Sequence, residues 1–283
     1  MARDPPDLSG KAAFITGTTR GIGKQIALAL ADAGCDIVST GKTVDDSDSD
    51  LDGTIHKTAE ACEDRGVDAH AIQVNLRDEQ QVEAAVEEAL DVFDEIPIVV
   101  NNASAIQLAS VEDMPVDRFD LVTDVNVRGT YATSRAFVPH LKELGEGHIL
   151  TNAPPVKMGS APGKAAYSWS KMGMTFVTRS LAEELRGEGV AANAFWPVTA
   201  IDTRATRYFG LGTEDDWRKP EILSDTVMEL LKRDPDEFTG NAVYDEEVLR
   251  AAGVEDFSEY NCTPGDPAPT SAQMFDPEFS RPE

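Results

Sequence analysis

The segment Thr16-Gly-Thr-Thr-Arg-Gly-Ile-Gly23 constrains this chain more than any other. It follows the short apolar run Lys11-Ala-Ala-Phe-Ile-Thr16, which reads as a buried strand. It opens residues 21–33, where Ile22, Ile26, Ala27, Leu30 and Ala33 recur at helical spacing. Strand, glycine-rich turn and helix in that order make a phosphate site. Gly17 permits a tight turn, and Gly21 and Gly23 let backbone approach a ligand and the helix approach the strand. The start of the helix offers free N–H groups and the positive end of its dipole to a pyrophosphate. Thr18, Thr19, Arg20 and Ile22 complete the loop expected to hold a nucleotide. A glycine trio alone is weak evidence, since such turns occur in many loops; its context raises it above a structural turn.

Strands and helices keep alternating downstream. Residues 36–40, 69–74, 96–100, 148–151 and 190–195 read as strands. Residues 55–65, 79–93 and 165–186 read as helices, as does most of 116–144. The helix at 79–93 is the clearest, with Val82, Ala85, Val86, Ala89, Leu90 and Phe93 on one face. This order predicts an α/β fold, a doubly wound parallel sheet with helices on both faces, in a single domain over residues 8–250. The acidic loop at 45–52 reads as solvated. Beyond Trp196 the pattern weakens: 202–220 is irregular, 222–232 a short helix and 240–244 a last strand. Residues 251–283 form a C-terminal extension, expected from Cys262 onward to be extended or loosely ordered.

Charge excludes some functions. Asp and Glu number 51 against 25 Lys and Arg, a formal net charge of -26. Nucleic acid is a poor partner for such a surface. The acid excess is spread along the chain and reads as adaptation to high salt, with an ordinary acidic cytosolic protein as the alternative. No apolar run approaches a membrane span or the core of a signal peptide, so a cytoplasmic protein is expected. Cys35, Cys62 and Cys262, and His56, His70, His140 and His148, have no metal-like spacing, and no metal is expected.

About 20 residues beyond the glycine loop, where NAD-specific folds place an acid on the ribose, the chain has Thr40-Gly41-Lys42. An acid would repel a 2′-phosphate; Lys42 would attract it, helped by Arg20. The charge argument favours NADP(H), against the reading of Lys42 as a solvated lysine. Asn75 and Leu76 are placed to flank the adenine, a turn asparagine being the rival reading. Tyr167-Ser-Trp-Ser-Lys171 puts a tyrosine and a lysine four apart, on one face of a helix. A nearby ammonium favours tyrosinate and is expected to lower the phenol toward working pH.

The glycine loop, Asn101-Asn-Ala-Ser104, Asn126 in Val-Asn-Val-Arg-Gly and the Tyr167–Lys171 pair together resemble the short-chain dehydrogenase/reductase family over residues 8–250. Asn152-Ala-Pro-Pro155, the run 166–174, Trp196 to Thr203 and Phe238-Thr-Gly-Asn241 are similar to its hydroxysteroid dehydrogenase-like protein 2 group. Animal members of that group carry an added sterol carrier domain, before which this chain is expected to stop. The resemblance implies a Rossmann-type sheet and hydride transfer between a nicotinamide and a carbonyl or alcohol. It implies Tyr167 as general acid and Lys171 as holder of the ribose hydroxyls and tuner of Tyr167. It implies Asn126 as the positioner of a proton-relaying water. It places Asn102, Ala103 and Ser104 in the cofactor cleft, and Pro197, Thr199, Ile201 and Thr203 around the nicotinamide and phosphate. A homo-oligomer, dimer or tetramer, is implied through the helices that carry Asn126 and Tyr167.

Two positions depart from the family. The serine usual at the end of the fifth strand, a hydrogen-bond donor to the substrate oxygen, aligns with Ala153, which has no donor. Losing an oxyanion donor lowers turnover on the order of 100- to 1000-fold. Asn152, Thr151 and Ser160 are candidate replacements, although alternation along the strand would turn Asn152 and Ala153 to opposite faces. Ser104 stands where the family commonly has glycine. Two readings follow. One is an NADP(H)-dependent oxidoreductase acting on an apolar carbonyl or alcohol, with Phe209 and Trp217 hinting at apolarity or simply forming a satellite core. The other is a nucleotide-binding sensor or scaffold with impaired chemistry. Trp169 faces either substrate or a packing or subunit contact.

Overall fold

The structure, a computed structural model, describes residues 5–48, 52–155, 157, 159 and 162–282. Ser160 and part of the acidic 45–52 loop lie outside the described residues. The elements run β1 (Ala12–Thr16), α1 (Gly21–Asp32), β2 (Asp36–Gly41), α2 (Ile55–Glu63), β3 (Ala69–Gln73), α3 (Glu79–Val92) and β4 (Ile98–Asn101). They continue α4 (Val116–Thr123), α5 (Gly129–Leu144), β5 (Gly147–Asn152), α6 (Ala165–Glu184) and β6 (Val190–Trp196). The last are β7 (Ala200–Ile201), α7 (Arg204–Tyr208), β8 (Trp217–Arg218), α8 (Glu221–Leu231), β9 (Ala242–Tyr244), α9 (Asp245–Ala251) and α10 (Thr270–Gln273).

Seven strands pair in the order β3-β2-β1-β4-β5-β6-β9, every pair parallel. This is the expected doubly wound sheet. Its central strands are buried on both faces, so they read as near-continuous apolar runs. Along β1, Ala13 and Ile15 enter one core with Ile26 and Leu30 of α1, while Ala12 and Phe14 enter the other. The second core takes Val82 and Val86 of α3 and Phe137 of α5, whose ring lies 4.9 Å from that of Phe14. Asp78 caps α3, accepting from the Gln80 and Gln81 N–H groups, and Thr54 caps α2, accepting from the Lys57 N–H. Strand order reverses between β1 and β4, and the crevice beyond the carboxyl ends of these strands is where open α/β sheets bind ligands.

Two features differ from the sequence expectation. The helix expected over 116–144 is broken: residues Asp124–Arg128 form a π-helical turn between α4 and α5. And the segment after Cys262 is not a loose tail. Ala272 is fully buried, Phe275 packs edge-on against Trp196 at 5.4 Å, and Phe279 lies 4.8 Å from Tyr244. Arg281 clamps it with bonds to Glu246 at 2.9 Å and Asp266 at 2.6 Å, and both acids also hold the buried Arg218. Its anchors are single aromatic and charged residues on a non-repeating backbone, so no periodicity marks them.

Candidate active site

The glycine loop is shaped by steric exclusion. Gly17 and Gly21 have φ of 75° and 58°, in the left-handed region. A Cβ on Gly23 would lie 2.3 Å from the Gly17 carbonyl oxygen and 2.4 Å from Asn102 Nδ2. Asn102 ties the loop to the end of β4: its Nδ2 donates to Thr16 O at 3.1 Å and Gly17 O at 3.2 Å. In return Thr16 Oγ1 accepts from the Asn102 and Ala103 N–H groups at 3.0 and 3.1 Å. Arg20 caps α1 without a side-chain bond, which leaves the first N–H groups of the helix open to an anion.

These groups form one end of a cleft of about 860 Å³. Thr19, Arg20, Gly21, Ile22, Lys42, Asn75 and Leu76 line that end, and Asn102, Ala103 and Ser104 its middle. Tyr167, Lys171, Pro197, Ile201 and Thr203 line the other end. Two expected residues are turned away. Thr18 is buried under the loop, its hydroxyl against Ser39 at 2.7 Å, and Thr199 is buried behind the wall. Arg20 lines the cleft, but its guanidinium donates to the carbonyls of Asp52 and Gly53, both at 3.1 Å. Lys42 is exposed at the end of β2.

At the far end, Tyr167 and Lys171 share the inner face of α6 and are almost wholly buried. Lys171 Nζ donates to the Asn152 carbonyl at 2.8 Å and stands 5.0 Å from the centre of the Trp196 ring. Burial pushes its ammonium down to about 7. The expected lowering of the phenol by Lys171 is not what the cleft shows. Burial raises Tyr167 well above the usual phenol range, and a hydrogen bond with the Ser104 side chain opposes that rise. The ammonium lies 5.9 Å from the centre of the tyrosine ring, and both groups are desolvated together. For both groups desolvation is the leading cause of the shift.

Asn126 sits in the π-helical turn, fully buried and off the cleft surface. Its Oδ1 accepts from Ala105 N at 2.7 Å; its Nδ2 donates to Ala105 O at 2.9 Å and to Ser170 Oγ at 2.9 Å. The side chain therefore clamps the loop after β4 to α6. A π-turn inserts one residue into a helix and re-aims its side chains, a device common at functional sites.

At the end of β5, Ala153 is fully buried. Its methyl points into a small apolar cluster with Met174 and Ala194, away from the cleft. Thr151 also faces inward, its Oγ1 taking a bond from Thr178 at 2.8 Å. Asn152 is the residue that turns toward the cleft, as alternation requires. Its Nδ2 is held by Asn102 Oδ1 at 3.1 Å, while its own Oδ1 is buried with no partner.

The sequence reading missed several walls. Trp196 lies beneath Lys171, and Ser271 and Met274 of the C-terminal segment close the substrate end. Trp196 beside Pro197 could have been noticed; nothing in the pattern of 262–282 points to the cleft. Phe209 lines it, whereas Trp217 is a satellite core residue, buried, with Nε1 donating to Leu211 O at 2.8 Å. Trp169 is exposed on the outside of α6. Among the described residues no group of three or more His, Cys, Asp or Glu could hold a metal, and no helix is long and apolar enough to cross a membrane.

Comparison with known proteins agrees with this geometry. The short chain dehydrogenase profile matches residues 11–211. Hydroxysteroid dehydrogenase-like protein 2 of Mus musculus is 45% identical over 263 residues, 92% of this chain and 53% of that protein. The Homo sapiens protein of the same name is 44% identical over 92% of this chain and 62% of its own length. The chain thus spans a little over half of these relatives. A short chain dehydrogenase structure from Mycobacterium thermoresistibile is 40% identical and superposes with a TM-score of 0.86, covering 92% of this chain and 94% of that one. The chain belongs to the short-chain dehydrogenase family, in the hydroxysteroid dehydrogenase-like protein 2 group.

Proposed function

We propose that the chain is an NADP(H)-dependent oxidoreductase that interconverts a carbonyl and a hydroxyl on an apolar small molecule. The observation that carries this is the single cleft joining an uncapped helix start and glycine cradle to a buried Tyr167–Lys171 pair. The residues fit a dinucleotide: the cradle packs too tightly against Ala103, Asn102 and its own backbone to admit a Cβ at Gly17 or Gly23, and Lys171 is buried with no carboxylate partner among the described residues. The nicotinamide, when bound, supplies the hydride. Tyr167 holds the proton for the substrate oxygen, and Lys171 donates to the ribose hydroxyls. Asn126 orders the loop after β4 and a proton-relaying water. Gly17 to Gly23 hold the pyrophosphate, with Pro197, Thr199, Ile201 and Thr203 behind the nicotinamide.

Lys42 supports NADP(H). It follows β2 at the place where an acid would read a free ribose, and it lines the cleft. Phe209, Ile106 and Met274 support an apolar substrate. Val116, Tyr131, Trp169 and Phe176 are large apolar side chains exposed on α4, α5 and α6, and they support pairing with a second copy through these helices. The acid excess and the three free cysteines support a reducing, salt-rich cytoplasm as the setting.

The test is NADPH oxidation in molar KCl against aldehydes, ketones and 3-ketoacyl thioesters, with Tyr167→Phe as control. Tyr167→Phe is expected to lower kcat by about 100- to 10,000-fold while NADPH still binds. A mutant that keeps full activity sinks the mechanism. The absence of a β5 hydroxyl facing the cleft favours one alternative, a nucleotide-binding sensor. Saturable NADPH binding with no turnover on the whole panel would establish it.

A further inference from the structure

One cation of the cleft wall is not used by the nucleotide reading. Among the described residues, Arg20, Lys42, Lys164, Lys171 and Arg204 are the basic residues that line the cleft. Arg20 donates to the carbonyls of Asp52 and Gly53, and Arg204 pairs with the Asp52 carboxylate. Lys42 and Lys171 stand where a nucleotide phosphate and ribose would lie. Lys164 is left. It heads α6, where its carbonyl accepts from Ser168 N at 2.8 Å, and it stands one helical turn before Tyr167. That places it at the substrate end, half-buried and away from the glycine loop.

Lys164 has no carboxylate partner among the described residues. Asp276 of the C-terminal segment is taken by Lys157 at 2.7 Å. Asp216, an acid in the cleft wall, accepts from Thr213 N at 2.9 Å and from Thr213 Oγ1 at 3.1 Å. In a chain of 51 acids and 25 bases this is a local reversal of charge. The wall around it is apolar, with Ile106, Phe209, Leu211 and Met274. An ammonium at the edge of an apolar pocket attracts an anion more strongly as the ligand displaces water. One ammonium suits one carboxylate. A polyanionic carrier, such as a nucleotide thioester, would meet a single unpaired cation on an otherwise acidic surface.

We propose that the substrate of this cleft is an apolar oxo or hydroxy acid, its carboxylate held by Lys164 and its carbonyl or hydroxyl at Tyr167. This rests on the oxidoreductase reading above and narrows its substrate class. Side chains one turn apart on a helix have Cβ atoms about 5–6 Å apart, so a few carbons separate the carboxylate from the reacting carbon. The rest of the molecule lies against Ile106, Phe209 and Met274. Lys164 takes no part in proton or hydride transfer. It is a specificity-determining residue that fixes which end of the molecule enters and where the carbonyl stops. A contact made equally in the bound substrate and in the transition state acts through KM and leaves kcat unchanged.

The experiment compares wild type, Lys164→Met and Lys164→Arg, after thermal unfolding shows that all three fold. The probes are 4-oxodecanoate and its methyl ester, alike in shape and different in charge. The first readout needs no turnover: each probe is titrated calorimetrically into the full chain in the presence of NADP+. Wild type and Lys164→Arg should bind the acid roughly 10- to 100-fold more tightly than the ester, and Lys164→Met should bind the two alike. Equal binding of both by wild type, binding of neither, or a Lys164→Met protein that still prefers the acid overturns the proposal. The second readout is NADPH oxidation. Lys164→Met should raise KM for the acid by a similar factor, with kcat nearly unchanged and the ester unaffected. Activity lost on acid and ester alike would make Lys164 merely structural and also overturns the proposal. Turnover of the ester and of neutral ketones with no preference for the acid keeps the oxidoreductase reading and removes the carboxylate site. Lys164-dependent binding of the acid with no turnover of either probe keeps the carboxylate site and counts against the oxidoreductase reading.

Discussion

The two ends of the cleft are built by different means. At the nucleotide end the phosphate cradle is backbone: three glycines and the N–H groups at the start of α1, all from Gly17 to Gly23. At the chemical end the contacts are side chains brought from β4, the π-turn, β5, α6, β6 and the C-terminal segment. The first end is a steric problem with a local solution, because only glycine clears the Gly17 carbonyl at position 23. The second is an electrostatic problem. Burial raises Tyr167 and lowers Lys171, and the residues that cause the burial include Phe275 at the far end of the chain. Binding is therefore set by what is missing from the loop, and reactivity by what is packed around the tyrosine.

Substitutions can break this contrast or sharpen it. The largest effect is expected at Gly23→Ala, where the new methyl strikes both Gly17 O and Asn102. NADPH affinity should fall on the order of 100-fold in fluorescence titration, with the Tyr167 titration little changed. If affinity survives, the loop is not the rigid cradle described. Next comes Phe275→Ala. It should lower unfolding stability in urea by about 3–5 kcal/mol, since the ring is packed against Trp196 and Tyr167. It should also let Tyr167 titrate earlier, because water then reaches the phenol. A stable variant with an unmoved titration would return 262–282 to the status of an ornament. The smallest effect on activity is expected from Ala153→Ser. Its hydroxyl would enter the cluster of Met174 and Ala194, costing about 1–3 kcal/mol of stability with no gain in turnover. A marked rise in kcat would show that residue 153 faces the substrate after all.

How much of this was legible before the fold was known follows the same division. The glycine loop, the alternation of strands and helices and the Tyr167–Lys171 spacing are short-range patterns, and the sheet and cleft place them where they were expected. The failures are all long-range. The orientation of Ala153 depends on which face of β5 meets the cleft, and alternation leaves that choice open until neighbouring strands are in register. The π-turn at Asn126 has no sequence signature, because nothing in Val-Asn-Val-Arg distinguishes an inserted residue from an ordinary helical one. Met274 and Phe275 belong to a segment without period, and their value comes from Trp196 and Tyr167, which sequence does not bring near.

By itself, then, the sequence determined that a parallel sheet would carry a phosphate-binding turn and that a tyrosine and a lysine would share a helix face. Steric limits on φ and the 3.6-residue helical period act between near neighbours, so a linear reading captures them. Only the tertiary structure decided the rest: that Lys171 is buried with no acid beside it among the described residues, that Asn126 holds a loop, and that the last residues wall the site. Desolvation and hydrogen bonding act between groups that are close in space, and closeness in space is what folding creates.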